Sequence, residues 1–251
     1  MAQVSTIDVF LSARALDAEI VRNKTVVVLD VMHTTTTIVQ ALRNGAKSVI
    51  PVEDMGEAGR ISQTISSENM LLCGEKEGHP IEGFHLGVYP ADFTEEVVKG
   101  KNLIMNTTNG TRAIAKAIQA KDLMIASFLN LTSVADYLRE ADDGVILLSA
   151  GWNGRLSLED LLLAGNIIDK LHAGESQSEL RDGAVVALGV YRNYMDNLEN
   201  IISSSNNAVR LKKLLGDKFD SKWYTQIDIC QGIPVLRDGM ITFQHDKKPV
   251  H

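Results

Sequence analysis

A carboxylate, a histidine and four threonines stand together at the end of a short apolar run. The run Val26–Leu29 leads into Asp30, and His33 and Thr34–Thr37 follow directly. A strand-end carboxylate suits a hard cation such as Mg²⁺, hydroxyls and amides at a helix start suit an anion, and a histidine can transfer protons near neutral pH. A strand-end Asp that only satisfies a backbone amide beside a capped helix is the alternative for this segment. The candidate site residues here are Asp30, His33, Thr34, Thr35 and Thr36.

A second polar turn follows the apolar run Asn102–Asn106 and again leads into an amphipathic helix. Gly110 allows a close backbone approach, and Arg112 offers a bidentate contact to an anion. The turn is neither a G-x-x-x-x-G-K-[ST] phosphate loop nor a G-x-G-x-x-G dinucleotide fingerprint, so nucleotide binding is not indicated. A plain Asn-Gly turn with a helix cap is the alternative. The candidate anion-binding residues are Thr107, Thr108, Asn109, Gly110, Thr111 and Arg112.

Two further strand exits carry charged residues. Glu75 and Lys76 enter a glycine-bounded loop after Met70–Gly74, where Glu75 is a candidate metal ligand and Lys76 a candidate partner for a substrate anion. Asp160 follows Ser157 at the spacing of a capping box, which alone would explain it, although it is also a candidate metal ligand. Glu159 would face elsewhere on the helix, so at most one of these two acids is expected at a given metal.

These segments must be positioned by alternating strands and helices. The alternation predicts an α/β fold of three layers, α/β/α, with a largely parallel or mixed sheet and a C-terminal helical addition. A single domain over 1–251 is expected, with two tightly joined lobes and a break near 151–180 as the alternative. The predicted strands are Thr25–Asp30, Ser48–Glu53, Met70–Gly74, Asn102–Asn106, Leu123–Ser127 and Val145–Ser149, with strand-like sequence over Ile227–Phe243. The predicted helices are Thr35–Asn44, Met55–Ser66, Ala91–Val98, Thr111–Gln119, Ser133–Ala141, Ser157–Leu171, Gly183–Glu199 and Ala208–Leu215.

Composition limits the classes of partner. The 251 residues carry a net charge of −7, which argues against nucleic acid or an anionic membrane surface as a ligand. Two separated cysteines, Cys73 and Cys230, and the lack of a long apolar run favour a soluble cytoplasmic protein, and a homo-oligomer stays open. An acidic protein binds an anion only where a metal ion, a few Lys or Arg, or helix N-termini concentrate positive potential.

Taken as an ordered series, these segments resemble the 2-phosphosulfolactate phosphatase family of coenzyme M biosynthesis. The matching pieces are VVVLDVMHTTTTI (26–38), ALRNGAKSVIPV (41–52), GEKEG (74–78), GF (83–84), TTNGTRA (107–113) and EDLLLAG (159–165). The resemblance implies Mg²⁺-dependent hydrolysis of (R)-2-phospho-3-sulfolactate to 3-sulfolactate and phosphate. It maps Asp30 and Glu75 to motif acids, and Thr107–Arg112 to the family's polar motif.

Three positions depart from that pattern. The family usually carries Arg where this chain has His33, an Arg near Lys76, and Gly-Asn-Ser-Pro where this chain reads Gly87-Val88-Tyr89-Pro90. These departures bear on the substrate more than on the reaction class. The alternatives are a metal-dependent phosphatase of another small phosphorylated hydroxy acid, and a non-catalytic anion-binding relative.

The expected mechanism is attack by water on a small anionic phosphoester. Asp30 with Glu75 or Asp160 would hold Mg²⁺, while Arg112 and the amides of Thr107–Thr111 would offset the charge on the phosphoryl oxygens. A phosphoenzyme on Asp30 ranks lower, because haloacid-dehalogenase phosphatases carry a second Asp two positions later and this chain has Met32 there.

Overall fold

A computed structural model describes residues 4–141, 143–173 and 178–244. Residues 174–177, within the region 151–180 where a break between lobes was considered, lie outside these ranges. The choice between one domain and two joined lobes therefore stays a prediction. Within the described ranges, no helix has both the length and the apolar character needed to cross a membrane.

The described chain alternates strands with helices, as predicted. The strands are β1 (Thr6–Phe10), β2 (Thr25–Leu29), β3 (Ser48–Val52), β4 (Met70–Lys76), β5 (His79–Pro80), β6 (Asn102–Asn106), β7 (Asp122–Ala126), β8 (Val145–Ser149), β9 (Glu179–Leu180), β10 (Ile233–Arg237) and β11 (Met240–Gln244). The helices are α1 (Thr34–Arg43), α2 (Met55–Ser62), α3 (Glu95–Val98), α4 (Gly110–Lys116), α5 (Leu131–Arg139), α6 (Leu158–His172), α7 (Asp182–Tyr194), α8 (Leu198–Ser203) and α9 (Asn206–Leu215).

The strands form one mixed sheet in the order β5-β4-β6-β3-β11-β10-β7-β2-β8-β1-β9. One parallel group comprises β4, β6 and β3, and the other comprises β7, β2, β8, β1 and β9. The antiparallel hairpin β10–β11 joins them, pairing through Val235 with Met124 on one side and Ile241 with Val49 on the other. Asp238 and Gly239 both have positive φ, as a two-residue hairpin turn of type I′ requires.

The core lies on both faces of the sheet, which confirms the predicted α/β fold. Along β2, Val27 and Leu29 pack with the cluster that includes α5, α6 and α7, whereas Val26 and Val28 pack with the cluster that includes α1 and α4. Every residue of β2 is buried, because helices cover both faces. This explains why the strand is an unbroken apolar run rather than an alternating one.

Two helices carry the chain between the parallel groups. Helix α1 connects β2 to β3, and α4 connects β6 to β7, so each starts at a strand tip of one group and ends at a strand of the other. Their first turns meet, since Thr34 Oγ1 lies 3.2 Å from Thr107 Oγ1. This crossing brings polar turns from separate parts of the sheet to one place.

Several element boundaries differ from the sequence prediction. The helix expected over Ala91–Val98 is only Glu95–Val98, because Pro90–Asp92 forms a 3₁₀ turn. The helix expected over Gly183–Glu199 ends at Tyr194, and the chain continues as α8 after a 3₁₀ turn. Strand β1 was not predicted, since its inward residues alternate with polar Thr6 and Asp8 and give no continuous apolar run.

Candidate active site

The tips of β2 and β6 form one site around Asp30. The Thr34 hydroxyl donates a hydrogen bond of 2.6 Å to Asp30 Oδ2, and the Gly110 backbone N–H also donates to this carboxylate. A Cβ added at Gly110 would lie 2.4 Å from Thr34 Oγ1 and 2.5 Å from Asp30 Oδ2. Only glycine permits this approach, so Asp30 and the 107–112 turn lie at one site.

The other threonines of the run hold the turn between β2 and α1. Thr35 Oγ1 accepts from the Asp30 N–H at 3.1 Å, and the Thr36 hydroxyl donates to the Val31 carbonyl at 2.9 Å. The Thr37 hydroxyl donates to the Val88 carbonyl at 2.7 Å. The run therefore positions Asp30 and Thr34, and the hydroxyls of Thr35 and Thr36, predicted to bind substrate, are used inside the protein.

Glu75 reaches the same site from the tip of β4. Its Oε1 accepts from the Thr108 N–H at 2.6 Å, while its Oε2 accepts from the Thr108 hydroxyl at 3.0 Å and from the Gly78 N–H at 2.5 Å. These three donors fix the orientation of the carboxylate beside β6. A half-buried, hydrogen-bonded acid in this position is preorganised to act as a ligand.

Thr107 and Thr111 stabilise the β6–α4 turn from inside. Both are buried, and the Thr107 hydroxyl oxygen accepts from the Thr111 N–H at 3.0 Å. The Thr111 hydroxyl donates to the Thr107 carbonyl at 3.0 Å. Of this turn, Thr108 and Asn109 face the cavity described next.

A cavity of about 410 Å³ opens over these strand tips. Its lining includes six predicted site residues: Asp30, His33, Thr34, Glu75, Thr108 and Asn109. The remaining predicted site residues do not line it: Thr35, Thr36, Lys76, Thr107, Gly110, Thr111, Arg112 and Asp160. Lys76 and Arg112 are exposed side chains outside this lining, so their contact with a ligand stays a prediction.

Asp160 is buried next to the site rather than in its wall. Its Oδ1 accepts from the Val31 N–H at 2.9 Å, and its Oδ2 accepts from the Ser149 hydroxyl at 2.8 Å. The predicted cap is present, since Ser157 Oγ accepts from the Asp160 N–H at 3.4 Å. Both carboxylate oxygens therefore tie α6 to the tips of β2 and β8, which explains Asp160 without a metal.

The site concentrates negative charge. Burial raises the pKa of Asp30 to about 7, the Thr34 hydrogen bond opposes this shift, and the charges of Glu75 and Glu159 add to it. Burial and then the Asp30 charge raise the pKa of Asp160 well above its ordinary value. Among the described residues, none of these four acids forms an ion pair.

Among the described residues of the cavity wall, the one Lys or Arg is Arg210 from α9, which sequence reasoning missed. Its Nη1 donates to the Glu77 carbonyl at 2.9 Å, its Nη2 donates to Asn207 Oδ1 at 3.3 Å, and its guanidinium lies 5.6 Å from the Trp152 ring centre. Its Nε is buried without a partner among the described residues. No local motif marks this arginine; the only signal is that Asn207 and Arg210 share a helix face three residues apart.

His33 has an environment unlike that of an acid–base catalyst. Its Nδ1 lies 2.5 Å from the Tyr224 hydroxyl, and the Tyr89 ring stands edge-on with its centre 6.3 Å away. Burial, and secondarily the Arg210 charge, lowers the pKa of His33 to about 3. The ring is therefore neutral at pH 7, and the predicted role in proton transfer near neutral pH does not fit it.

Residues 10–239 match the model of a protein family described as 2-phosphosulpholactate phosphatase. The chain belongs to this phosphatase family. A Thermotoga maritima relative is 40% identical over 217 residues, which are 86% of this chain and 91% of the relative. A Clostridium acetobutylicum relative is 37% identical over 235 residues, 94% of this chain and 99% of the relative. Both are named probable 2-phosphosulfolactate phosphatase, so the family resemblance drawn from the strand-end motifs is confirmed.

Proposed function

We propose that this chain hydrolyses the phosphate ester of (R)-2-phospho-3-sulfolactate to 3-sulfolactate and inorganic phosphate. The observation that carries the proposal is the convergence of Asp30, Glu75 and Arg210 on one cavity in a member of the 2-phosphosulfolactate phosphatase family. Two carboxylates and one guanidinium suit a ligand that bears several acid groups, provided that a cation offsets the carboxylates.

The donor set of the cavity fits Mg²⁺. Within the described ranges, His, Cys, Asp and Glu side chains form no group of three or more arranged to hold a metal. Mg²⁺ is usually bound through one or two carboxylates together with water and substrate phosphate, which is the set that Asp30 and Glu75 can provide. These two residues, and not Asp160, are the proposed ligands, because Asp30 and Glu75 line the cavity and Asp160 does not.

The chain's own residues prepare this site before the substrate enters. Thr34 and Gly110 fix the Asp30 carboxylate, and Thr108 fixes Glu75. Bound Mg²⁺ would polarise the phosphoryl group and lower the pKa of a bound water. Arg210 would bind an acid group of the substrate, since its guanidinium is anchored at both terminal nitrogens and lies over the Trp152 ring.

Water is the proposed nucleophile. Asp30 is assigned to the metal, and the chain has Met32 where haloacid-dehalogenase phosphatases carry the second Asp that accompanies an aspartyl nucleophile. Incubation with substrate labelled in the phosphoryl group, followed by acid quench, should leave no label on the protein. Stable labelling of Asp30 would replace water attack with a phosphoenzyme route.

The proposed function is tested by phosphate release from synthetic 2-phosphosulfolactate, with Mg²⁺ and with EDTA. We expect turnover only with the metal, and the Asp30→Asn variant should lose at least about a hundredfold in kcat/KM while its circular dichroism is unchanged. Asp196→Asn, which changes an exposed acid in the same way, is the matched control.

A panel of other phosphorylated hydroxy acids decides the substrate. Faster turnover of one of them would identify that ester as the substrate. The panel is included because this chain has His33 in place of the family's usual arginine. Binding of sulfolactate without turnover of any ester would instead identify a non-catalytic relative.

A further inference from the structure

His33, which lines the cavity, forms a buried pair with Tyr224. Tyr224 is fully buried, and the only hydrogen-bond partner of its hydroxyl among the described residues is His33 Nδ1. The Phe219 ring stacks on Tyr224 with ring centres 6.0 Å apart, and the Tyr89 ring meets His33 edge-on. The imidazole is therefore held by aromatic packing and by one hydrogen bond.

This pairing determines which nitrogen of the imidazole carries the proton. A neutral histidine has one donor nitrogen and one acceptor nitrogen, and a buried phenol needs an acceptor for its proton. If His33 Nδ1 donated to Tyr224, the Tyr224 hydroxyl proton would have no acceptor among the described residues. Tyr224 therefore donates to Nδ1, and the ring proton of His33 is on Nε2.

The remaining nitrogen is available to a ligand. His33 lines the cavity together with Asp30 and Arg210, and its Nε2 makes no hydrogen bond to a described residue. Arg210 lines the same cavity as His33. The cavity is therefore lined both by a neutral imidazole and by a guanidinium with forked donor geometry.

We propose that His33 is a specificity-determining residue whose Nε2–H donates a hydrogen bond to an oxygen of a substrate acid group that is not transferred. Tyr224 is the positioning residue that fixes the tautomer. This inference rests on the proposed function for the identity of the substrate, but the tautomer itself does not. The acceptor is an oxygen of a carboxylate or a sulfonate. Substrate analogues that lack one of these two groups show which of them His33 contacts.

The first test reads the tautomer directly. Nitrogen–proton correlation spectra of the histidine side chains should show a protonated Nε2 and an unprotonated Nδ1 for His33, whose signal is identified by its loss in His33→Gln. Tyr224→Phe should broaden or shift this pattern toward the other tautomer, whereas Tyr137→Phe should not. Tyr137 is the matched control, because its buried hydroxyl has no partner among the described residues and lies outside this cavity. A protonated Nδ1 in the unmodified protein would overturn the proposal.

The second test separates donor position from bulk. Glutamine carries its amide nitrogen at the reach of Nε2, while asparagine carries it near Nδ1, so His33→Gln should keep more of the substrate affinity than His33→Asn. A donor to a group that is not transferred affects KM more than kcat. We expect KM to rise roughly tenfold or more in His33→Asn, the ratio for losing one hydrogen bond to a charged acceptor. Equal KM values in the unmodified protein and His33→Asn would refute the role.

Failure of the two proposals can be told apart. If the unmodified protein hydrolyses no phosphosulfolactate, the proposed function fails, and the tautomer spectra still report on the pair. Addition of 3-sulfolactate with Mg²⁺ should then shift the His33 Nε2–H signal if the donor contacts an acid group. An unshifted signal, together with demonstrated sulfolactate binding, would contradict the inferred contact.

Discussion

Gly110 offers the sharpest perturbation of the site, because alanine there should damage it through a single methyl group. The added Cβ would lie 2.4 Å from Thr34 Oγ1, and ordinary contact begins at 3.4 Å, so α4 or Thr34 must move by about 1.0 Å (3.4 − 2.4). In an ordinary helix, Gly→Ala stabilises by roughly 0.5–1 kcal/mol, but overpacking of this kind costs about 1–3 kcal/mol. The difference between these ranges gives an expected loss of up to about 2.5 kcal/mol in the free energy of unfolding.

The same shift acts on Asp30, whose Oδ2 would lie 2.5 Å from the new methyl group. A displacement of about 1 Å in a catalytic group can lower the rate by about a hundredfold, which is the fall in kcat/KM expected for Gly110→Ala. Urea unfolding and phosphate release are the two assays. Gly189→Ala, at an exposed helical glycine with open space around it, should gain stability and keep full activity. A Gly110→Ala variant with normal stability and turnover would refute the close approach.

Three other perturbations follow from the same geometry. Arg210→Gln should raise KM by roughly tenfold or more through loss of the guanidinium. Initial rates measured over a series of substrate concentrations give KM, and an unchanged KM would contradict this role of Arg210. Thr108→Val removes one of the donors to Glu75 and should weaken Mg²⁺ affinity by roughly tenfold in a metal titration of the rate; an unchanged affinity would argue against Glu75 as a ligand. The pKa of His33 is about 3 in the folded protein against an ordinary value of 6.5, so the unfolded chain binds the proton more readily and stability falls as pH drops below 6.5. Tyr224, Tyr89 and Arg210 face this ring. Between about pH 7.5 and about pH 5.5, the unmodified protein should lose about 1.4 kcal/mol more unfolding free energy than His33→Gln does. Parallel pH profiles of stability for the two proteins would contradict a buried neutral His33.

The sequence predicted the part of the site that is formed by residues at the ends of strands. Asp30, Glu75, Thr108 and Asn109 were all named from polar residues that follow apolar runs, and all line the cavity. The reason is general, because ligands bind outside the carboxyl ends of parallel strands and helices start there. A local pattern suffices when the fold itself brings such ends together.

The predicted cations Lys76 and Arg112 do not line the cavity, and for Arg112 the helical period of α4 explains its exposure. In α4, Gly110, Thr111, Ala113 and Ile114 are the buried positions, which leaves Arg112 on the exposed side. The role of Arg112 toward a ligand stays a prediction. Arg210, in contrast, contacts Glu77 across 133 positions of sequence, a separation at which no spacing rule operates.

The hairpin β10–β11 shows the same division between local and distant information. Strand-like sequence around Gly239 was predicted, and the Asp238-Gly239 pair forms the turn with positive φ at both residues. Nothing local indicates that the hairpin lies between β3 and β7 in the middle of the sheet. That position depends on pairing partners far away in the chain, which turn chemistry does not specify.

The C-terminal helices complete the site because one buried side chain links them to it. Asn207 donates to the Met32 carbonyl at 3.1 Å and to Glu159 Oε1 at 3.0 Å, and its Oδ1 accepts from Arg210. The amide therefore connects α9 to the turn after β2, to an acid of α6 and to the cavity's guanidinium. The packing of α9 against this turn therefore also places Arg210 in the cavity wall. The acidic cavity has this cation only when the last third of the chain packs against the first.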